Sequence, residues 1–142
     1  MKNKTGLGYP QVILFAVVTE LTLIAIQFGY LKVYSMNTNA EFAFTTEYMK
    51  SRGFYIFQII GFFLYTIIVY LMTGKMTSGI STKLASFVVA GGIVELGFYI
   101  FMTDHYEGAY LYSILDKIIA TSFGLILFNY TTEKHKRPES YF

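Results

Sequence analysis

The stretch that decides the fold is QVILFAVVTELTLIAIQFGYLKVY, residues 11–34. Between Gln11 and Leu31 its only charged side chain is Glu20. An α-helix needs about 20 mainly apolar residues to cross the hydrocarbon layer of a bilayer, so this stretch is long enough to span a membrane. Three more stretches meet the same requirement, at residues 53–73, 83–103 and 109–130. The sequence therefore predicts an all-α integral membrane four-helix bundle that forms a single domain over residues 1–142.

The composition supports this prediction and excludes several other classes of protein. Hydrophobic residues make up 54% of the chain and charged residues only 14%, which is too little polar surface for an ordinary soluble domain. The net charge of +2 is small and the basic residues form no stripe with interleaved aromatics, so we expect no nucleic-acid partner. Cysteine is absent, which excludes disulfides and thiolate metal sites. We expect no metal and no cofactor.

The basic residues indicate how the helices are oriented. One side of the predicted membrane carries Lys2, Lys4, Lys75, Lys83, Lys134, Lys136 and Arg137. The other side carries Lys32, Lys50 and Arg52 beside Glu41, Glu47, Asp104 and Glu107. Short cytoplasmic loops are enriched in Lys and Arg, so both termini are predicted to be cytoplasmic, in a bacterial inner membrane or plasma membrane. Residues 40–50 of the longer outer loop form either a short surface helix or an irregular loop.

Four ionisable residues lie inside the predicted spans: Glu20, Glu95, Asp116 and Lys117. A charge near the bilayer centre costs about 2.5–3.5 kcal/mol even on the lenient insertion scale, so these side chains must face protein or water. Counted from the helix ends, all four share one depth. They are the predicted ion- or proton-binding residues.

Other polar residues share helix faces with these charges, because residues three, four or seven positions apart line up. Glu20 aligns with a glutamine, Glu95 with a tyrosine and two glycines, and Asp116 with a tyrosine, while the second span has a polar stripe of its own. The predicted lining of a pore or cavity is Gln27, Gln58, Tyr65, Tyr99 and Tyr112.

Pairs of small residues four positions apart allow helix backbones to approach closely. Ser86 and Ala90 form such a pair in the third span, and Ala120 and Gly124 form one in the fourth. The sequence therefore predicts that the third and fourth helices pack together.

Three carboxylates against one lysine leave the buried residues at a formal charge of −2, which a low-dielectric interior resists. Either a cation is bound or carboxylates are protonated. Lys117 is expected to keep one carboxylate ionised, which leaves another available to take up a proton. A purely structural interpretation remains open beside this one, because a buried ion pair can fix helix register and polar side chains can hold membrane helices together.

A lone glutamate in the middle of the first of four helices is similar to the pattern of the small multidrug resistance transporters, with Glu20 at that position. The chain departs from that pattern because it is longer, lacks tryptophan, and carries Glu95, Asp116 and Lys117 in its other spans. The resemblance is confined to Glu20.

Three functions follow as hypotheses. The first is a proton- or cation-coupled transporter or channel in the lipid bilayer, completed by a homo-oligomer or a larger membrane-protein partner because four helices make a thin wall. The second is a non-enzymatic accessory, assembly or immunity protein whose buried charges pair with a partner. The third is a membrane enzyme or lipid-binding protein acting through Asp104, His105 and Glu107. No catalytic residues are predicted, because neither Ser113 nor Ser122 has a histidine at membrane depth.

Overall fold

A computed structural model of the chain describes residues 6–39, 42, 48, 50–102 and 106–136, with only the backbone described at residues 102, 106–109 and 134–136. These ranges form four α-helices: α1 (Tyr9–Thr38), α2 (Arg52–Thr73), α3 (Ile80–Met102) and α4 (Tyr106–Lys136). Each is long and apolar enough to cross a membrane, which is the architecture of a multi-pass membrane protein. The predicted all-α four-helix bundle is confirmed.

The helices are longer than the apolar runs that predicted them. α1 continues to Thr38 rather than residue 34, and α4 continues to Lys136 rather than residue 130. Backbone hydrogen bonding does not stop where the side chains become polar, so an apolar run marks the membrane crossing and not the helix end.

The helix ends carry ordinary local signals. Pro10 lies in the first turn of α1, where its missing N–H is not needed. Asn39, the residue after α1, has a left-handed φ of 52°. The Ser51 hydroxyl caps α2 by accepting a hydrogen bond of 3.3 Å from the Phe54 N–H. Gly79, with a φ of 60°, turns the chain into α3. The connections between the helices are residues 39–51, 74–79 and 103–105, and successive helices run in opposite directions.

Contacts between distant residues define the two ends of the bundle. The Leu7 N–H donates to the Lys75 carbonyl (3.0 Å), and the Tyr9 hydroxyl lies 2.7 Å from the Thr82 hydroxyl. The start of α1, the α2–α3 connection and the start of α3 therefore share one end, here called the Lys75 end. The end of α4 joins them, since the Tyr70 and Thr131 hydroxyls lie 3.2 Å apart.

The opposite end, here called the Tyr48 end, holds the end of α1 and the start of α2. Tyr48 is buried there between the rings of Tyr34 and Phe54, and its hydroxyl donates to the Gln27 carbonyl at 3.4 Å. Burial raises the pKa of Tyr48 to about 12, so the hydroxyl keeps its proton for this bond at physiological pH. The choice between a helix and a loop at residues 40–50 lies outside the described residues.

Each helix packs against two neighbours, in the order α1, α2, α4, α3 around the bundle. The most extensive contacts join α1 to α3 and α2 to α4, which are the pairs that run parallel. In the Lys75-end half the centre is filled by an apolar core of Val12, Ala16, Val69, Met72, Met76, Leu84 and Phe87. The outer surface also carries large apolar side chains on every helix, as contact with lipid requires.

The predicted contact between α3 and α4 is confirmed, but the small pair in α4 serves a different neighbour. Thr66 of α2 donates to the Ala120 carbonyl at 3.4 Å. A Cβ atom on Gly124 would lie 2.7 Å from the Thr66 carbonyl oxygen and 3.0 Å from Val69 Cβ. Ala120 and Gly124 therefore set the approach of α4 to α2, because a small pair permits close packing without specifying which helix approaches.

Gly124→Ala is expected to destabilise the bundle by about 1–3 kcal/mol, because the added methyl group meets the backbone of α2 and one helix must move. Gly97→Ala is the matched control, since no neighbouring atom lies within 4 Å of its Cβ position. The free energy of unfolding in detergent micelles, measured by titration with a denaturing detergent, compares the two. Equal stability of the two variants would contradict close α2–α4 packing.

Candidate functional site

The centre of the bundle holds the ammonium group of Lys117 between two carboxylates from other helices. Its Nζ atom lies 3.4 Å from Glu20 Oε1 on α1 and forms a closer ion pair with Glu95 Oε2 on α3. Glu20 is only 2% exposed and Lys117 only 6%. One cation on α4 therefore joins three helices at membrane depth. These residues are here called the carboxylate–lysine cluster: Glu20, Glu95 and Lys117.

Glu95 is fully engaged by α4. The Ser113 hydroxyl oxygen lies 2.5 and 2.6 Å from its two carboxylate oxygens, and Lys117 Nζ donates to the same hydroxyl at 2.9 Å. Ser113 and Lys117 are four residues apart, so helical geometry places both on the face that meets Glu95. Charge-assisted contacts from two donors hold this carboxylate in place.

Glu20 is less well satisfied than Glu95. Within the described part of the chain, its Oε1 atom makes no hydrogen bond of regular geometry, and neither does the hydroxyl of Tyr65, although both atoms are sealed from the surface. The Tyr65 ring also faces Lys117, whose Nζ atom lies 5.8 Å from the ring centroid, within cation–π range. A side chain from every helix thus lies at the cluster or against it, since Tyr65 belongs to α2.

Because Gly91 has no side chain, Glu20 and Tyr65 can approach each other beside it. A Cβ atom at this position would lie 2.5 Å from the Tyr65 hydroxyl oxygen and 2.9 Å from Glu20 Oε1. Real Cβ atoms do not approach other atoms so closely, so any other residue would displace these groups. The neighbouring Gly92 has ordinary space around it, with Tyr110 and Ile114 at 3.7 and 4.0 Å.

A cavity of about 40 Å³ lies beside the cluster, which is room for a few water molecules. Its polar lining includes Gln27, Gln58 and Asp116, and its apolar lining includes Phe57 and Phe98. Apart from residues at the level of the cluster, these positions belong to the Tyr48-end half of their helices. The other half is filled mainly by the apolar core, so the cavity extends from the cluster toward the Tyr48 end.

Asp116 also lines the cavity, but its environment differs from that of the cluster. It is half-buried and makes no ion pair within 4 Å among the described residues. Lys117, the next residue, faces the bundle centre, and successive residues on a helix point about 100° apart. Asp116 therefore lies at the side of the bundle rather than at its centre.

The structure brings together most of the residues predicted from sequence. Glu20, Glu95, Asp116 and Lys117 lie near one another, as their common depth predicted, and all line the cavity. Gln27, Gln58 and Tyr65 line the cavity too.

Two predicted lining residues lie elsewhere. Tyr99 is buried but does not line the cavity. Tyr112 is 77% exposed on the outer surface of α4, so it does not line the cavity of this chain. It shares a helix face with Asp116, as its spacing requires, but the Tyr112 side chain points away from the bundle centre.

Sequence reasoning missed the role of Ser113 in the cluster and the close approach at Gly91. The role of Ser113 was indicated in the sequence by its position four residues before Lys117, which places both side chains on one helix face. The predicted site at Asp104, His105 and Glu107 lies outside the residues whose side chains are described. Among the described residues, no group of three His, Asp or Glu side chains is arranged to hold a metal ion.

No protein-family model, curated protein sequence or solved structure matches this chain. Its function has to be argued from the geometry of the carboxylate–lysine cluster.

Gly91→Ala is expected to lower the free energy of unfolding by about 1–3 kcal/mol, because the methyl group separates Tyr65 from Glu20 inside a packed interior. Gly92→Ala, its neighbour in the same helix, should change stability by less than about 1 kcal/mol and in the stabilising direction, as alanine favours a helix over glycine. Unfolding of both variants in detergent, followed by circular dichroism, measures the difference. A Gly91→Ala variant as stable as Gly92→Ala would show that the two side chains do not meet there.

Proposed function

We propose that this chain is a small membrane transporter or channel that binds a proton, or a monovalent cation in its place, at the carboxylate–lysine cluster. The observation that carries the proposal is the charge of the cluster. Glu20 and Glu95 share the single ammonium group of Lys117, which leaves one negative charge without a partner at membrane depth. One proton or one monovalent cation brings that charge to zero.

A purely structural role explains this arrangement less well. A buried ion pair that only fixes helix register needs one carboxylate for one lysine, and such a pair is neutral. A second carboxylate adds a charge that the bilayer strongly disfavours unless it is neutralised. The presence of Glu20 therefore supports a group that gains and loses a positive charge.

The two carboxylates have different roles in this proposal. Glu95 is the fixed counter-ion of Lys117, because both of its oxygens are engaged by Ser113 and Lys117. Glu20 is the exchangeable group, because its Oε1 atom lacks a regular hydrogen bond and the residue lines the cavity. When Glu20 takes up a proton it becomes a neutral carboxylic acid, whose O–H can donate to the nearby Tyr65 oxygen.

Access to the cluster is one-sided in a single chain. The cavity lies toward the Tyr48 end, whereas the apolar core closes the Lys75 end. We assign the Lys75 end to the cytoplasm, because Lys75 in the short α2–α3 connection and Lys83 near the start of α3 lie there. Complete transport then requires that the apolar half opens, or that a second copy or a larger membrane partner completes the path.

Asp116 favours a second candidate function, that of an accessory, assembly or immunity protein. A half-buried carboxylate in a membrane span with no ion pair among the described residues suits a basic side chain on a partner. In that case a co-purifying partner should be lost on Asp116→Asn and retained on Glu20→Gln.

Flux into liposomes tests the first function. Purified wild-type protein should carry protons or monovalent cations down a gradient, and Glu20→Gln should reduce the rate to that of empty liposomes, because the amide cannot take up a proton. Glu133→Gln is the matched control, since Glu133 is exposed at the Lys75 end and should leave the rate unchanged. Absence of flux from folded wild-type protein would contradict the proposal and favour the accessory function. Flux that survives Glu20→Gln would contradict the assignment of Glu20 as the exchangeable group.

A further inference from the structure

A groove of about 300 Å³ runs between α1 and α2 in the Lys75-end half, on the opposite half of the bundle from the polar cavity. Its walls are formed mainly by large apolar side chains, among them Phe15, Val18, Leu64, Ile68 and Leu71. Thr19 and Thr22 also line it, but their hydroxyls donate within α1 to the carbonyls of Phe15 and Val18. The groove therefore has room for an apolar chain and offers no unsatisfied hydroxyl to a polar one.

The groove ends in positive charge. Lys75 lines its membrane-surface end, is exposed, and makes no ion pair among the described residues. The hydrogen bond from the Leu7 N–H to the Lys75 carbonyl places this lysine against the start of α1. The first N–H groups of a helix carry a partial positive charge, so a lysine and a helix start lie together above an apolar groove.

We propose that the α1–α2 groove binds an acyl chain of an anionic phospholipid, whose phosphate is held by Lys75 beside the start of α1. The apolar walls fit the chain, and the charge at the groove end complements the headgroup. A basic residue near the membrane surface favours anionic over zwitterionic lipid.

The shape of the groove argues against a second protein helix as the occupant. Close helix association in membranes uses small residues that let backbones approach. Here Phe15, Leu64 and Leu71 stand along the walls instead. A flexible acyl chain can follow such side chains, whereas a helix about 10 Å wide packs closely only where the contact is made of small residues.

Thermal unfolding of the purified protein in detergent tests the lipid site directly. Phosphatidylglycerol should raise the unfolding midpoint at lower concentration than phosphatidylcholine with the same chains. Lys75→Gln should weaken the apparent affinity for phosphatidylglycerol about five-fold, the effect of roughly one basic residue at a membrane surface. Lys50→Gln is the matched control, because Lys50 is exposed on the loop before α2, toward the Tyr48 end.

A second pair of variants tests the groove itself. Val18→Trp fills the groove and should weaken binding of both lipids, whereas Leu14→Trp, on an exposed face of α1 outside the groove, should not. Glycerol phosphate, which lacks acyl chains, should leave the midpoint unchanged. The proposal is overturned if Lys75→Gln keeps the full preference for phosphatidylglycerol, if Val18→Trp binds lipid like wild type, or if glycerol phosphate alone reproduces the shift. None of these outcomes depends on the proposed transport, because the readout is lipid binding.

Discussion

The ammonium group of Lys117, held between Glu20 and Glu95, is the constraint on which the arrangement of the helices depends. A charge at membrane depth has to be paired, and these partners come from α1, α3 and α4. Tyr65 brings α2 to the same point through its ring. The contact fixes how far each helix is rotated and at what depth it lies. Apolar contacts are not directional, so the packing in the Lys75-end half follows the helix rotation and depth that the charges set.

Glu20 and Glu95 differ in how well they are hydrogen-bonded, and this difference makes the structural contact a candidate functional site. Ser113 and Lys117 satisfy Glu95, whereas Glu20 faces a hydroxyl that itself lacks a regular partner. A few water molecules fit beside the cluster, on the side toward the Tyr48 end. The chain thus places an unbalanced charge, an under-satisfied acceptor and a polar cavity at one point, with the apolar core between that point and the Lys75 end.

Much of this arrangement was predictable, because long apolar runs specify membrane helices and the rare charges within them must meet. The predicted spans and the common depth of Glu20, Glu95 and Lys117 rest on length and hydropathy alone. Rotation about each helix axis was not predictable, since spacing shows which residues share a face but not where that face points. For this reason Tyr112, which was expected to line a cavity, lies on the outer surface of α4, and the neighbour of Gly124 was misassigned likewise. No spacing in the sequence indicates that Tyr65 approaches Glu20 at Gly91, because the three residues lie on three different helices.

Infrared difference spectroscopy of the purified protein, recorded as the pH is lowered, tests the central claim that Glu20 is the exchangeable carboxylate. Wild-type protein should gain the carbonyl stretch of a protonated carboxylic acid shielded from water. That band should vanish in Glu20→Gln and persist in Asp116→Asn, whose carboxylate lies at the side of the bundle. A band that survives Glu20→Gln and vanishes in Glu95→Gln would show that Glu95 takes up the proton. That result would contradict this account.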